Sequence, residues 1–435
     1  MRQKIGIVAI LALVILVAIA CSGTPLPTIA PSQATSAPSA TIASAAAPIN
    51  LTFWNYWDGK NGEVIQSLVD KYNQSHPNVQ VKNVFIGYGD LLTKLQAGVA
   101  GGELPNVAAG DMAWVSKFVQ SKSLVPLNDY IQKSNVPLAD FYPELLKIDR
   151  AGNDIVALPV STNNLELFYN QDLFQAAGLD PNTPPKTWDE LISFAQKCGK
   201  PDGSVAGMEL YTEPGEGLTW QWQVYLWQAG GEFMVDNKPA FNSDAGRKAL
   251  QFFVDLIQKY KVSPLTKWGL FEKGAACMRI DGSWVISDLA QKAPFKWNTA
   301  RVPIPTGGKP ATNMGGEHIF IFKSDPAHEA AAWDFLNYLT STETQIEWDQ
   351  QTSFMPIRDS VATNSGFLDY VKNKEPRLIP FVENQKYAHA RPGIVQYAEI
   401  SDAFSKEAEK ALHGTQSVAD ALNNAEKAAQ NILAQ

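Results

Sequence analysis

The sequence predicts an α/β fold, and two observations support this class. From about Asn50 onwards, apolar residues alternate between a period of two and a period of 3.6, which are the spacings of strands and helices. The chain has 435 residues, 45% of them hydrophobic and 18% charged, which is enough to build a substantial core. This length fits two or three units of about 150 residues each. No internal repeat indicates a solenoid or a propeller.

The alternation is clearest at the start of the predicted body. Strand-like and helix-like segments follow one another at 51–57, 64–72, 79–86, 90–101 and 107–109. Asp90 is the predicted N-cap of the second helix. This β-α-β pattern indicates a largely parallel sheet, in which ligands bind in the loops beyond the carboxyl ends of the strands. These loops supply the first candidate ligand residues, which are Trp57, Asp58, Tyr88 and Asp111.

The C-terminal part of the chain is predicted to be helical. Apolar residues recur at helical spacing over 329–339, 395–412 and 417–433. Ser417 followed by Asp420 is typical of a capped helix start. We expect these helices to cover the faces of sheets.

The N-terminus has the three zones of an export signal. Two basic residues, at positions 2 and 4, precede an uncharged run that ends with small residues before Cys21. A transmembrane anchor is the alternative, but the run is shorter than the ~20 residues that span a bilayer. We therefore expect a signal peptide at 1–20.

The residues around Cys21 resemble a bacterial lipobox. In that motif, which here reads Ala18-Ile19-Ala20-Cys21, the cysteine is lipidated and becomes the new N-terminus. Residues 21–48 are rich in Pro, Ser, Ala and Thr and carry no charge, so we expect a disordered linker. The prediction is a protein anchored to the outer face of the cell membrane, or periplasmic if the cell has an outer membrane. A plain secretory leader is the alternative.

Charge, histidine and cysteine content argue against several classes of function. The chain carries 36 Lys and Arg against 44 Asp and Glu, a net charge of −8, which argues against a nucleic-acid partner. The five histidines lack metal-ligand spacing, and we predict neither a metal nor a cofactor. Cys198 and Cys277 are compatible with a disulfide and with two separate thiols. The motifs of serine hydrolases, zinc proteases and nucleotide-binding loops are missing from the sequence.

Several phrases, in order, resemble the extracellular solute-binding proteins of family 1, which serve ABC sugar importers. The phrases are SHPNV at 75–79, GNDIVALP at 152–159, FYNQDLF at 168–174, PKTWDEL at 185–191, MRIDGSW at 278–284, GG at 315–316 and MPIR at 355–358. The resemblance implies a periplasmic-binding-protein-like fold, in which two discontinuous α/β lobes joined by a hinge close over one ligand. Within a domain at 49–435, we expect one lobe at about 50–158 and 280–330, and the other at about 159–279 and 331–435.

A sugar site needs aromatic rings against the C–H faces of the pyranose and polar groups for its hydroxyls. The tryptophans that are candidates for stacking on a sugar are Trp57, Trp220, Trp222 and Trp284. For each of them, packing in a lobe core is the alternative. Asp58 and Asp111 are candidate acceptors for hydroxyl groups, with helix N-capping as the alternative.

Further polar candidates come from the middle and the end of the chain. Gly316 permits close approach of the backbone to a ligand, and Glu317 directly follows it. Arg391 matches a position that holds the ligand in the glycerol-phosphate-binding branch of the family. Asn163 is an additional polar candidate.

The predicted protein is a substrate-binding lipoprotein of an ABC importer and not an enzyme. We expect a monomer that captures an extracellular sugar or oligosaccharide and delivers it to the permease subunits in the membrane. sn-Glycerol 3-phosphate or a related polyol phosphate is the alternative ligand, although the acidic balance and the aromatic residues favour a neutral saccharide. A secreted glycosidase and an adhesion lipoprotein are alternatives of other classes.

Overall fold

The computed structural model of the protein describes residues 48–435. The predicted signal peptide, the lipidation site Cys21 and all but the last residue of the predicted linker lie outside the described residues. Within the described part, no helix is long and apolar enough to span a bilayer.

Strands occur along most of the described chain. In order, they are β1 (Ile49–Asn55), β2 (Val79–Phe85), β3 (Val107–Asp111), β4 (Arg150–Ala151), β5 (Asp154–Ile155), β6 (Ala157–Pro159), β7 (Leu165–Asn170), β8 (Met234–Val235), β9 (Lys238–Pro239), β10 (Met278–Gly282), β11 (Trp297–Ala300), β12 (Thr312–Met314), β13 (Glu317–Ile321) and β14 (Ala388–Ala390). Most of them belong to two principal sheets.

Helices separate these strands and form most of the C-terminal part. In order, they are α1 (Gly59–Ser75), α2 (Tyr88–Gly101), α3 (Val115–Ser121), α4 (Asn128–Lys133), α5 (Pro143–Leu146), α6 (Gln171–Ala176), α7 (Trp188–Cys198), α8 (Glu216–Gln228), α9 (Asp244–Val254), α10 (Ile286–Lys292), α11 (Pro326–Leu339), α12 (Thr342–Thr352), α13 (Asp359–Ala362), α14 (Ser365–Asp369), α15 (Ile379–Asn384), α16 (Tyr397–Leu412) and α17 (Val418–Leu433).

The first sheet has the strand order β2-β1-β3-β13-β6. β1 pairs in parallel with β2 and β3, as the β-α-β pattern predicts, whereas β13 runs antiparallel to β3 and β6. β3 is buried along its whole length. Its last residue, Asp111, lies opposite Glu317, the first residue of β13. The pairing register therefore places two carboxylates side by side where β3 ends and β13 begins.

The second sheet has the order β10-β7-β11, and both outer strands run antiparallel to β7. The predicted parallel pairing concerned the segments at the start of the body and does not extend to this sheet. β10 and β11 come from a part of the chain far from β7, so no local turn or crossover signal in the sequence indicates their direction.

Most of the predicted helices are present. Ser417 begins α17 as expected, because its hydroxyl accepts a hydrogen bond from the Asp420 amide at 3.1 Å. The expected cap of α2 is wrong, since this helix begins at Tyr88 and Asp90 lies in its first turn.

The strand pairing bears on the expected lobe ranges, which remain a prediction. β10 and β11 belong to the second sheet, although most of their residues fall within the 280–330 range expected for the first lobe. α11 packs against β1 and β13 of the first sheet, and α12 packs against α1, although 331–435 was expected in the second lobe. An apolar helical stripe shows that a helix is packed, but it does not show on which sheet.

A disulfide joins Cys198, at the end of α7, to Cys277, which directly precedes β10. The two cysteines are 79 positions apart in the sequence. The bridge therefore closes a loop that contains α8 and ties α7 to the strand that leads to Trp284.

Removing this disulfide is expected to destabilise the protein by about 2–4 kcal/mol, because a cross-link across a long loop restricts the unfolded chain. The free energy of unfolding, measured in urea, should fall by this amount in the Cys198→Ser/Cys277→Ser variant. Wild-type protein kept in a reducing agent is the matched control and should unfold like the variant. Equal stability of the oxidised wild type and the double variant would contradict this expectation.

Asp349 of α12 is a fully buried acid. Neither carboxylate oxygen has a hydrogen-bond partner among residues 48–435. Burial raises the pKa of Asp349 well above its ordinary value of 3.8. The folded state therefore retains a proton that the unfolded chain releases.

Asp349 should make the protein less stable as the pH rises above about 4, because the folded state binds one more proton there than the unfolded state. Asp349→Asn removes this titration, so its unfolding midpoint should fall less between pH 5 and pH 8 than that of the wild type. Asp154→Asn changes an exposed acid and serves as the control. A variant with the same pH dependence as the wild type would refute the assignment.

Candidate functional site

The chain passes between the two sheets through short segments that pair with each other. One leads from β6 to β7 and the other from β12 to β13. Asn163 and Gly315 exchange both main-chain hydrogen bonds, at 3.2 and 2.9 Å. Gly316 has a φ of +133°, and a Cβ at this position would lie 2.3 Å from the Ser161 carbonyl oxygen. The close approach that Gly316 permits is thus between the two crossing segments.

A cluster of one buried arginine, one buried carboxylate and one half-buried carboxylate lies between elements of the two sheets. Arg391 donates from Nη1 and Nη2 to both oxygens of Asp111, at 3.0 and 2.6 Å. Its Nη1 also donates to Oε1 of Glu216 at 2.9 Å. Asp111 ends β3 of the first sheet, whereas Glu216 begins α8, which contacts β10 of the second sheet through Gln221. Arg391 therefore links the two sides.

Both carboxylates of this cluster accept bonds from additional donors. The Tyr88 hydroxyl donates to Oδ2 of Asp111 at 3.1 Å. The Tyr397 hydroxyl donates to Oε1 of Glu216 at 2.9 Å, and the Ser401 hydroxyl donates to Oε2. Both oxygens of each carboxylate thus act as acceptors, which is the pattern expected of the ionised form.

The charges of the cluster influence one another strongly. Burial alone would lower the pKa of Arg391, but Asp111 and Glu216 together raise it well above the ordinary arginine value. Burial raises the pKa of Glu216, while Arg391 opposes that shift. Burial and the nearby Asp111 raise the pKa of Tyr88, so its hydroxyl stays protonated and donates. With both carboxylates ionised, the cluster carries one more negative than positive charge.

Glu317 extends this polar network along the edge of the first sheet. The Tyr56 hydroxyl donates to Oε1 of Glu317 at 2.8 Å, and the Ser161 hydroxyl donates to Oε2. Burial raises the pKa of Glu317. The Tyr56 ring meets the Tyr88 ring edge to face at 5.1 Å between centroids, which joins Glu317 to the Asp111 cluster.

An aromatic pair lies next to the charged cluster. The rings of Trp220 and Trp284 stack with centroids 5.5 Å apart. The Arg391 guanidinium lies 5.5 Å from the Trp220 ring centroid, within the range of a cation–π interaction. Trp220 is buried, whereas Trp284 is half-buried. The Asn61 amide of α1 donates to the Trp284 carbonyl at 3.1 Å, which gives a second contact between the two sides.

Two cavities adjoin Arg391. One, of about 110 Å³, is lined by residues that include Tyr88, Trp114, Glu216 and Ser401. The other, of about 450 Å³, lies towards α3 and α5. Among residues 48–435, no group of three or more His, Cys, Asp or Glu side chains is arranged to hold a metal ion.

The structure brings together many of the predicted site residues but places three elsewhere. Trp222 is fully buried against Phe404, with ring centroids 4.3 Å apart. Trp57 is buried against Trp348 in the core of the first sheet. Asp58 is exposed at the start of α1, where its side chain makes no capping hydrogen bond. Both the Asn163 and the Trp220 side chains lie within contact distance of the position that a Cβ on Gly315 would take. These two side chains are therefore neighbours.

Sequence reasoning missed Glu216, Tyr397 and Ser401. Glu216 lies in the glycine-rich turn before Trp220, where a helix-start carboxylate is a recognisable signal. Tyr397 and Ser401 are one helical turn apart on α16. That spacing places them on one face, but nothing in the sequence indicates that this face meets Glu216.

Comparison with known proteins identifies the family. A family model described as bacterial extracellular solute-binding protein matches residues 56–346. This chain belongs to that family. The members of this family are transport receptors and not enzymes. Membership therefore agrees with the prediction of a protein without enzymatic function. It does not agree with the alternative of a secreted glycosidase.

Similar solved structures share the α/β periplasmic-binding-protein fold. The cyclic α-maltosyl-1,6-maltose binding protein of Arthrobacter globiformis is 43% identical, with a TM-score of 0.77 over 89% of this chain and 99% of that one. An ABC transporter solute-binding protein of Thermotoga lettingae, bound with α-D-tagatose, is 28% identical, with a TM-score of 0.79 over 88% and 100% of the two chains. The sn-glycerol-3-phosphate-binding periplasmic protein of Yersinia enterocolitica is 25% identical over 352 residues, which are 75% of this chain and 79% of that protein.

Replacing Trp222 by Ala should lower the free energy of unfolding by about 3–5 kcal/mol, because it empties a fully buried aromatic position. Urea unfolding followed by circular dichroism measures this change. A variant as stable as the wild type would show that Trp222 does not belong to the core of this solute-binding protein.

Proposed function

We propose that this solute-binding protein captures a neutral carbohydrate between its two lobes and delivers it to the permease of an ABC importer. The observation that carries the proposal is the half-buried Trp284, stacked on Trp220, next to a cluster of hydroxyl acceptors. A pyranose presents apolar C–H faces to aromatic rings and hydroxyls to carboxylates, so this pairing suits it on both counts.

The polar side of the site also suits a polyhydroxylated ligand. Arg391 has an Nε–H with no acceptor among residues 48–435, and the Trp220 indole N–H also lacks one there. Buried donors of this kind are stabilised when a ligand oxygen accepts from them. Glu317 and Asp111 supply acceptors close by.

The small size of the cavity beside Glu216 supports a hinged mode of binding. The cavity of about 110 Å³ beside Glu216 is smaller than the ~300 Å³ at which ligand pockets begin. A sugar therefore reaches this part of the site only if the two sides separate and close again around it. The paired crossing segments are the natural hinge for such a motion.

Comparison with the sugar-binding relatives supports the ligand class. The Arthrobacter globiformis and Thermotoga lettingae proteins are named for, or bound with, carbohydrates. We extend carbohydrate binding to this chain, and we retain the lipid anchor at Cys21 as part of the proposal. Anchoring keeps the loaded protein near its membrane permease.

sn-Glycerol 3-phosphate is the second candidate ligand, because the curated relatives are named for it. A phosphate ligand is favoured by cationic groups whose charge is not already balanced by carboxylates. In this site Arg391 already bonds two carboxylates, which favours the neutral ligand.

A calorimetric and thermal-shift screen with maltose, maltotriose, cyclic maltosyl-maltose, tagatose and sn-glycerol 3-phosphate tests the proposal. We expect stoichiometric binding of a carbohydrate that is recovered unchanged. Trp284→Ala should weaken this binding at least tenfold, since the stacking surface is lost. Trp333→Ala removes a tryptophan that packs against Tyr130, and the folded variant should keep the affinity of the wild type. Binding of none of these sugars, or equal effects of both substitutions, would refute the proposal.

A further inference from the structure

We propose that Glu216 is the residue that excludes anionic ligands from this site, an inference that rests on the proposed carbohydrate function. The role follows from the way Arg391 is shared. Asp111 alone would make a neutral ion pair with the arginine. Glu216 adds a second carboxylate to the same guanidinium, and this leaves the cluster with an excess negative charge.

The donors of Arg391 show what remains available to a ligand. Its two terminal nitrogens are occupied end-on by both oxygens of Asp111, and Nη1 is also bonded to Glu216. Nε has no partner among the described residues, and Nη2, which makes a single bond, keeps a second N–H. A neutral hydroxyl can accept from Nε without any change in the charge balance. A phosphate at the same place would add further negative charge next to the guanidinium. The single positive charge of the guanidinium is already outweighed by the two carboxylates.

The position of the Glu216 carboxylate is fixed by a helix terminus and by hydrogen bonds. It lies at the first position of α8, where the helix terminus favours a carboxylate. Tyr397 and Ser401 of α16 donate to its two oxygens, and Arg391 shares one of them. These bonds hold the Glu216 carboxylate beside Arg391 independently of the arginine itself. The same anchoring places Glu216 on the wall of the cavity beside Tyr88.

The other two acids of the site, Glu317 and Asp111, differ from Glu216 in how they are related to Arg391. Glu317 bonds Tyr56 and Ser161 and does not contact Arg391. Asp111 positions the guanidinium through two bonds, so its loss would disturb the arginine itself. Glu216 is thus the acid whose charge can be removed while the Arg391–Asp111 pair stays intact.

The test is titration of wild type, Glu216→Gln and Glu216→Asp with sn-glycerol 3-phosphate by calorimetry at low ionic strength. We expect Glu216→Gln to bind the phosphate at least tenfold more tightly than the wild type, with a gain that falls as salt is added. Glu216→Asp retains the charge and should exclude the phosphate as the wild type does. If Glu216→Gln does not fold, Glu216→Ser provides a second neutral side chain with a hydroxyl.

Glu213→Gln is the matched control, because Glu213 is exposed and its replacement changes the net charge equally. An equal gain in Glu213→Gln, or a wild type that binds the phosphate as tightly as Glu216→Gln, would overturn the inference. A wild type that binds no sugar would refute the proposed function alone. A phosphate gain confined to the neutral Glu216 variants would then still support the exclusion.

Discussion

The arrangement of the two lobes in this structure depends on the placement of one buried guanidinium. Arg391 is paired end-on with Asp111 and bonded also to Glu216, so elements of both sheets converge on a single charge. A buried arginine that loses its partners is strongly destabilising, because nothing in the interior replaces its hydration. The strand edge that ends at Asp111 and the helix that begins at Glu216 are therefore held in a fixed relation while both bonds persist.

The same guanidinium links the charged part of the site to its aromatic part. Its position 5.5 Å from the Trp220 ring adds a cation–π contact to the ion pairs, and Trp220 in turn supports Trp284 by stacking. The orientation of the half-buried Trp284 ring is thus fixed by stacking before any ligand binds. Such preorganisation reduces the ordering entropy that a ligand would otherwise have to offset on binding.

The sequence indicated local structure better than it indicated which distant segments meet. Ser417 could be assigned as a cap because capping depends on residues three positions apart. The antiparallel direction of β10 and β11 could not be assigned, because it depends on strands far apart in the chain. Trp220 and Trp222 show the same limit within one helix. Residues two positions apart point to nearly opposite faces, and nothing local shows that one face meets Arg391 while the other enters the core against Phe404.

The bonding around the cluster also shows how each of the two carboxylates is supported apart from Arg391. Arg391 makes two of its three ionic bonds to Asp111 and one to Glu216. Its backbone follows β14, where the His389 ring stacks on Trp227 of α8. Tyr397 and Ser401, which donate to Glu216, lie on α16, and this helix packs against α8. Glu216 is therefore hydrogen-bonded by its neighbouring helix, and Asp111 accepts from Tyr88 of α2. The position of each carboxylate thus depends on hydroxyl donors from its own surroundings as well as on the shared guanidinium.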